Sequence, residues 1–252
     1  MFKKAVVIPP GKNFRNGITT SNLGIPDYKE SLRQHTSYCE VLKRCGLELI
    51  TIQPDPAFPD STFVEDTAIV TSAMAIITRP GDQRRLGEER KIEDVLMAER
   101  KIERIHPPGC VDGGDVLHAE SHFFIGLSSR TNREGADQIQ SILSGYGFTS
   151  SFIPVNRMLH LKSEVSYIGN KTLILTEQMS DREEFRSFRK IIVPAEEDYA
   201  ANCVLVNEYL LLPSGFPKTR EKLLTKGYNI LELNISEFRK MDGGLSCLSI
   251  RF

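Results

Sequence analysis

Cys247 stands near the end of the chain in "MDGGLSCLSIRF", behind two adjacent glycines and ahead of a short apolar run. A thiol becomes a nucleophile when its pKa is depressed, when a histidine stands beside it, or when a cationic substrate stabilises the thiolate. Buried in "CLSI", the same residue would be a small hydrophobe. Two carboxylate clusters supply the other half of such chemistry: Asp60, Glu65 and Asp66 in "FPDSTFVEDTAIV", and Asp112 and Asp115 around the glycine pair of "GCVDGGDVLH". Carboxylates at a strand entrance cap backbone or face water. Gathered at a pocket mouth, they instead receive a planar guanidinium through two parallel charge-assisted hydrogen bonds. His160 in "MLHLKSEV" is the histidine placed to join them, with a satisfied core or surface histidine as the alternative. Arg85, beside Arg84 in "RPGDQRRLGEE", and Arg130 in "SSRTNREGA" offer forks for a carboxylate, where most arginines only solvate a surface. Acids for a guanidinium and an amine, with arginines for a carboxylate, describe an arginine-like ligand.

These residues need elements to hold them. Two short β-branched runs around a turn recur in "EDTAIVTSAMAIITRPG", "GDVLHAESHFFIGLSSRT", "SEVSYIGNKTLILTE" and "ANCVLVNEYLLLPSG", each reading as a hairpin. Helically spaced segments such as "NREGADQIQSILSGYG" and "TREKLLTKGY" accompany them, and further strands such as "RKIIVP" follow. Hairpin starts near Asp66, Asp115, Glu164, Asn202 and Ser246 recur every ~40 to 50 residues, a period typical of radial or solenoidal repeats. The fifth unit is incomplete at the C-terminus, and the N-terminal "KKAVVIPP" is the strand that would complete it, closing a ring without exposed edges. A plain open α/β sheet is the alternative. The Asp-Gly-Gly before Cys247 matches the one at Asp112, which predicts equivalent corners of two units.

Composition excludes several classes. The charge of −1 on 252 residues provides no basic field for nucleic acid or anionic membrane. The expected partner is a small molecule, and a homodimer stays open. The N-terminal apolar run is too short for a signal peptide and no later stretch reaches membrane-spanning length, so the expected location is cytoplasmic. Five scattered cysteines predict no disulfide framework, and Cys39, Cys45, Cys110 and Cys203 read as structural. His118 and His122 flank an expected hairpin turn, where their spacing does not align two ligands, so no metal is expected. With no linker or low-complexity tract, residues 1–252 read as a single domain.

The ordered set "GIPDY", "FPDSTFVEDTAIV", "AIITRPG", "SRTNREGA", "HLKS", "YAANCVLVNE", "PKTREKL" and "DGGLSCLSIRF" resembles the dimethylarginine dimethylaminohydrolases. These are guanidino-group-modifying enzymes of the pentein fold, a five-fold pseudosymmetric α/β propeller of ββαβ-type units around a central active-site cavity. The resemblance runs from the N-terminal strand to Phe252. It implies hydrolysis of Nω-methylated L-arginine to L-citrulline and a methylamine through a covalent thiouronium-type intermediate, with no cofactor. It makes Cys247 the nucleophile, His160 the general acid/base and Asp112 the third catalytic carboxylate. Asp66 would grip the guanidinium with Glu65 beside it, and Asp60 would stand near the α-amine. Arg85 and Arg130 would hold the α-carboxylate, Arg84 being the neighbouring alternative, and Ile18 and Met241 would touch substrate through the backbone. Some bacterial relatives carry glutamate where this chain has Asp112. The rivals are an arginine deiminase, which usually carries a helical domain this chain has no room for, and a non-catalytic propeller that binds arginine-like ligands.

Overall fold

The computed structural model describes residues 1–156 and 158–252. The described residues build five three-stranded sheets of one topology, an antiparallel pair with a third strand parallel to the middle one. Contacts group the chain into two compact units, residues 1–64 with 202–252, and residues 65–201.

The first unit opens with β1 (Lys4–Val7), α1 (Tyr28–Arg44) and β2 (Glu48–Thr51), the two strands parallel. Helix α1 begins where the Asp27 side chain accepts the Glu30 N–H, satisfying a donor the helix cannot satisfy itself. Its buried Gln34, Tyr38 and Leu42 recur at four-residue spacing and so form one stripe.

The second unit holds three repeats. The first comprises β3 (Ala68–Val70), β4 (Met74–Ile77), α2 (Glu89–Met97) and β5 (Lys101–Arg104). The second comprises β6 (Val116–Ala119), β7 (His122–Leu127), α3 (Arg133–Gly145) and β8 (Thr149–Pro154). The third comprises β9 (Val165–Tyr167), β10 (Thr172–Leu175) and β11 (Arg189–Ile192), with two 3-10 turns where the others have a helix. The middle strands β4 and β10 are buried throughout, as apolar runs covered on both faces must be. Strand β7 sends Phe123 and Ile125 into one core cluster and Phe124 into the other, the period-two alternation of a strand between two layers.

The chain returns to the first unit with β12 (Val204–Val206), β13 (Tyr209–Pro213), α4 (Pro217–Leu224), β14 (Asn229–Leu233), α5 (Ser236–Arg239) and β15 (Ile250–Arg251). Strand β15 pairs antiparallel with β1, Val6 opposite Ile250, so the two chain ends complete the fifth sheet as expected. Phe14, Phe63 and Phe238 meet with ring centroids 5.4 to 6.3 Å apart and anchor the core beside it.

A short 3-10 turn precedes the first strand of every repeat: Val64–Thr67, Gly113–Asp115, Leu161–Ser163, Ala195–Ala201 and Ser246–Leu248. Glu65, Asp66 and Cys247 lie within these turns, and Asp112 and His160 lie one residue before theirs. Among the described residues no helix is long and apolar enough to cross a membrane.

Candidate active site

Within residues 65–201, three successive turns bring Asp66, Asp112 and His160 together, all buried. His160 Nε2 lies 3.0 Å from Asp112 Oδ2 and 3.9 Å from Asp66 Oδ1. Ionised carboxylates only accept, so this nitrogen carries a proton. The backbone fixes both acids: Gly114 N–H donates to Asp66 Oδ1 at 3.0 Å and Gly81 N–H to Asp112 Oδ1 at 2.8 Å. Thr78 Oγ1 donates to the Asp66 carbonyl at 2.6 Å.

Charge settles the protonation states. Burial alone would push the His160 imidazole down, but the Asp66 charge, the hydrogen bond to Asp112 and the charges of Asp115 and Asp112 outweigh it and hold the pKa up at about 9. Burial would likewise raise the Asp66 carboxyl. The His160 cation, the Arg85 guanidinium and the Gly114 N–H win instead and hold it at about 2. An imidazolium between two carboxylates is the result.

Arg85 is buried and its fork is engaged: Nε and Nη2 donate to Glu88 Oε2 at 3.0 and 2.8 Å, and Nη1 to Asp66 Oδ2 at 2.6 Å. The neighbouring Arg84 is exposed and pairs with Asp82 at 2.7 Å. Arg130 Nη1 lies 3.5 Å from Asp112 Oδ2 and has no hydrogen-bond partner. Both expected clamp arginines therefore lie against the site's carboxylates. Glu65 is buried and pairs with Lys162 at 2.7 Å, tying the first of these turns to the third. Asp66, Asp112 and His160 each offer an atom within 4.8 Å of the others and could hold a cation. The two guanidinium groups already neutralise both carboxylates, which weakens the set as a metal centre. His118 and His122 ligate nothing in common: His118 Nε2 meets the Glu120 carbonyl, and His122 meets Thr149 and Ser151.

Gly114 is the floor of this cluster. A Cβ there would stand 2.8 Å from His160 Cγ and Nδ1 and 2.9 Å from Asp66 Oδ1, closer than real contacts allow. With His160 in the acid/base role expected from the sequence, Gly114→Ala should push the imidazole off the carboxylates and lower turnover by about 10²-fold, the usual effect of displacing a catalytic group by about 1 Å. Steady-state kinetics on protein shown to be folded by circular dichroism checks this.

Residues 1–64 and 202–252 carry the remaining candidates. Half-buried Cys247 sits in the last 3-10 turn, its N–H donating to the Gly244 carbonyl at 3.2 Å and its Sγ receiving the Gly244 N–H at 3.5 Å. Asn202 braces this turn from the fourth repeat: Nδ2 donates to Ser246 Oγ at 3.0 Å and Oδ1 accepts Ser246 N–H at 3.1 Å. Tyr38 Oη donates to the Leu245 carbonyl at 3.1 Å from below. In the same unit, Ile18 N–H points at both Asp60 oxygens at 3.1 Å. A Cβ on Gly17 would lie 2.4 Å from Asp60 Oδ1 and 3.1 Å from Met241 Cε, so Ile18, Asp60 and Met241 share one corner.

The corners correspond, each a 3-10 turn ahead of the first strand of its repeat, but the two Asp-Gly-Gly runs sit differently in them. Asp112 leads directly into the turn before β6, whereas Asp242 takes a left-handed φ of 58° and its carboxylate accepts Thr20 N–H at 2.6 Å. Gly243 and Gly244 serve close packing, since a Cβ would fall 2.2 Å from the Phe63 ring and 2.4 Å from Asn202 Oδ1. Sequence reading missed Asn202, Glu88 and Lys162 as site residues, although they lie in the quoted "YAANC", "RRLGEE" and "HLKS" segments.

Residues 27–249 match the family described as N,N dimethylarginine dimethylhydrolase, eukaryotic. The chain is 43% identical over 254 residues to the N(G),N(G)-dimethylarginine dimethylaminohydrolase of Pseudomonas aeruginosa, with 100% of both covered. It is 33% identical over 252 residues to the enzyme of that name from Streptomyces coelicolor, covering 99% of this chain and 96% of the relative. A solved structure of DDAH from Pseudomonas aeruginosa, a cysteine-to-serine mutant complexed with citrulline, matches with a TM-score of 0.98 at 43% identity over 100% of both chains. The fold is thus the pentein type that the five repeats predicted. By full-length similarity and by fold, this chain belongs to the dimethylarginine dimethylaminohydrolase family.

Proposed function

We propose that this chain hydrolyses Nω-methylated L-arginine to L-citrulline and methylamine or dimethylamine, with Cys247 as nucleophile, His160 as general acid/base and Asp112 as the third catalytic carboxylate. The observation that carries the reading is the buried imidazolium held between Asp66 and Asp112 in a chain alignable end to end with a named dimethylarginine dimethylaminohydrolase. Asp66, with Glu65 beside it, and Asp112 receive the substrate guanidinium and keep it charged, which makes its central carbon electrophilic and favours a thiolate next to it. The thiolate adds to that carbon. His160 gives its proton to the departing amine as the C–N bond breaks, leaving a thiouronium on Cys247. Neutral His160 then takes a proton from water, the hydroxide adds to the same carbon, and the C–S bond breaks as the remaining hydroxyl proton passes to solvent, which returns the thiolate and releases neutral citrulline.

Asp60, Ile18 and Met241 form the end of the site that receives the α-amine. Arg130, with an Nη1 that lacks a hydrogen-bond partner, is the better holder of the α-carboxylate. Arg85 would join it only by loosening its grip on Asp66 or Glu88. Because the nucleophile and the acid/base come from different compact units, the reading requires both units to work as one catalytic domain, residues 1–252. The proposed location is the cytoplasm, where the thiol of Cys247 stays reduced.

Incubation with arginine, monomethylarginine and asymmetric dimethylarginine, followed by assay for citrulline, tests the assignment. Methylated substrates should dominate kcat/KM. Exclusive turnover of unmethylated arginine would place the chain with the deiminases instead.

A further inference from the structure

Asp115 is fully buried, directly follows the Gly113-Gly114 pair and takes no part in the proposed mechanism. Its Oδ1 accepts the Leu161 N–H at 2.9 Å, the peptide immediately after His160. Its Oδ2 accepts Ser128 Oγ at 2.6 Å and Thr131 Oγ1 at 2.7 Å. Those hydroxyls are themselves spoken for: Ser128 Oγ accepts the N–H groups of Arg130 and Thr131 at 2.9 and 3.2 Å, and Thr131 Oγ1 accepts the Asp112 N–H at 3.2 Å. With both lone pairs of Ser128 Oγ filled, its proton has only Asp115 to go to. Burial pushes the Asp115 carboxyl up, and the His160 charge with these three donors, which need an acceptor, opposes it and favours the ionised form. Gly126 closes the pocket from β7, since a Cβ there would stand 2.8 Å from Asp115 Oδ1.

From this geometry we infer that Asp115 is a positioning residue for the reaction: one carboxylate sets the His160 backbone, the Asp112 backbone and the loop carrying Arg130. The inference rests on the reading of His160 as acid/base. The charged groups facing His160 are Asp66, Asp112 and Asp115, with Arg85 and Arg130 paired to the first two. Asp115 is the carboxylate of the three that no guanidinium within the described ion pairs balances, so its charge acts on the imidazole with little offset. An amide cannot replace it. Whichever way Asn is turned, its NH2 meets either the Leu161 N–H or hydroxyls that need an acceptor, and an unmatched buried donor is costly.

Asp115→Asn should lower kcat by about 10²-fold and move the alkaline limb of kcat/KM down by about one pH unit, as expected for removing a nearby charge in a poorly screened interior. Thr131→Val keeps the charge and the Leu161 bond, so it should lower kcat by about tenfold and leave the limb in place. Asp115→Asn that melts earlier yet keeps the wild-type kcat and limb would reduce Asp115 to a structural role and overturn the inference. Should that variant fail to fold, an unchanged kcat in Thr131→Val overturns it equally. The His160 ring titration, followed by NMR in wild type and Asp115→Asn, separates the two claims. An imidazole whose pKa falls in a protein where His160→Ala retains full activity supports the Asp115 link and sinks the acid/base reading.

Discussion

Cys247→Ser should abolish citrulline formation, with kcat falling by at least about 10⁴-fold, the scale on which nucleophile removal acts in covalent hydrolases. A hydroxyl at this position is a far weaker nucleophile than a thiolate, and a bound guanidinium cannot ionise it to a useful extent. The loss should be chemical and not structural. Cys247 is half-buried, and the turn that carries it is set by Asn202, Tyr38 and the Gly244 carbonyl, none of which needs the sulfur. Thermal unfolding of the variant should therefore match wild type while substrate still protects it from heat. Mass spectrometry of protein quenched during turnover supplies the second half: wild type should carry a substrate-derived adduct on Cys247 and the variant none. Turnover within tenfold of wild type in Cys247→Ser would refute the covalent route through this residue.

Much of this architecture could be read from spacing. Hairpins expected near Asp66, Asp115, Glu164, Asn202 and Ser246 correspond to strands beginning at Ala68, Val116, Val165, Val204 and Ile250. Periodicity in apolar residues is a local signal, and each hairpin announces itself. The pairing of β15 with β1 was legible only because an incomplete last repeat needs a partner strand. The missing helix of the third repeat was not legible, since "EQMSDREEFRSF" has helical composition and is divided between two 3-10 turns by contacts made through Met179 and Phe185 in the core.

The site was legible as a list of residues, less so as a geometry. Asp66, Asp112 and His160 were expected to meet, and they do within one compact unit. What sequence could not reveal is how each is held. Arg85 was expected to reach for a carboxylate on the substrate, and its guanidinium is engaged by Glu88 at 2.8 Å and Asp66 at 2.6 Å. The i, i+3 spacing of Arg85 and Glu88 is present in "RRLGE", but thousands of such pairs lie on surfaces. Burial is what makes this one count, because a desolvated guanidinium must be paired. The two Asp-Gly-Gly runs differ for a related reason: identical tripeptides sit against different neighbours, Glu65 behind Gly113 and Phe63 behind Gly243. Local pattern does not encode what stands opposite.

The pH dependence should carry the signature of His160. Its pKa near 9 in the unliganded protein arises from Asp66, Asp112 and Asp115 outweighing burial. Since kcat/KM reports the free enzyme, its alkaline limb should fall near pH 9 as the imidazolium that must protonate the amine is lost. The bound complex should differ. A substrate guanidinium on Asp66 and Asp112 competes for the charges that sustain the imidazolium, so the corresponding limb in kcat should lie at lower pH, by about one unit or more for a cation a few ångströms away. On the proposed mechanism that shift would let one group serve twice: a proton held less tightly in the complex is one that can be given to the amine and then recovered from water. Stability follows with a definite sign. A pKa raised in the fold above its ordinary 6.5 stabilises fully below pH 6.5, and that contribution is lost as pH rises through about 9. The melting temperature of wild type should therefore decline between pH 6.5 and 9 more steeply than that of His160→Ala, which should also lose about 10²- to 10⁴-fold in kcat and have no alkaline limb of this origin. Equal pH slopes in the two melting curves, with the limb near pH 9 retained in the variant, would assign the titration to another group and leave His160 without its role.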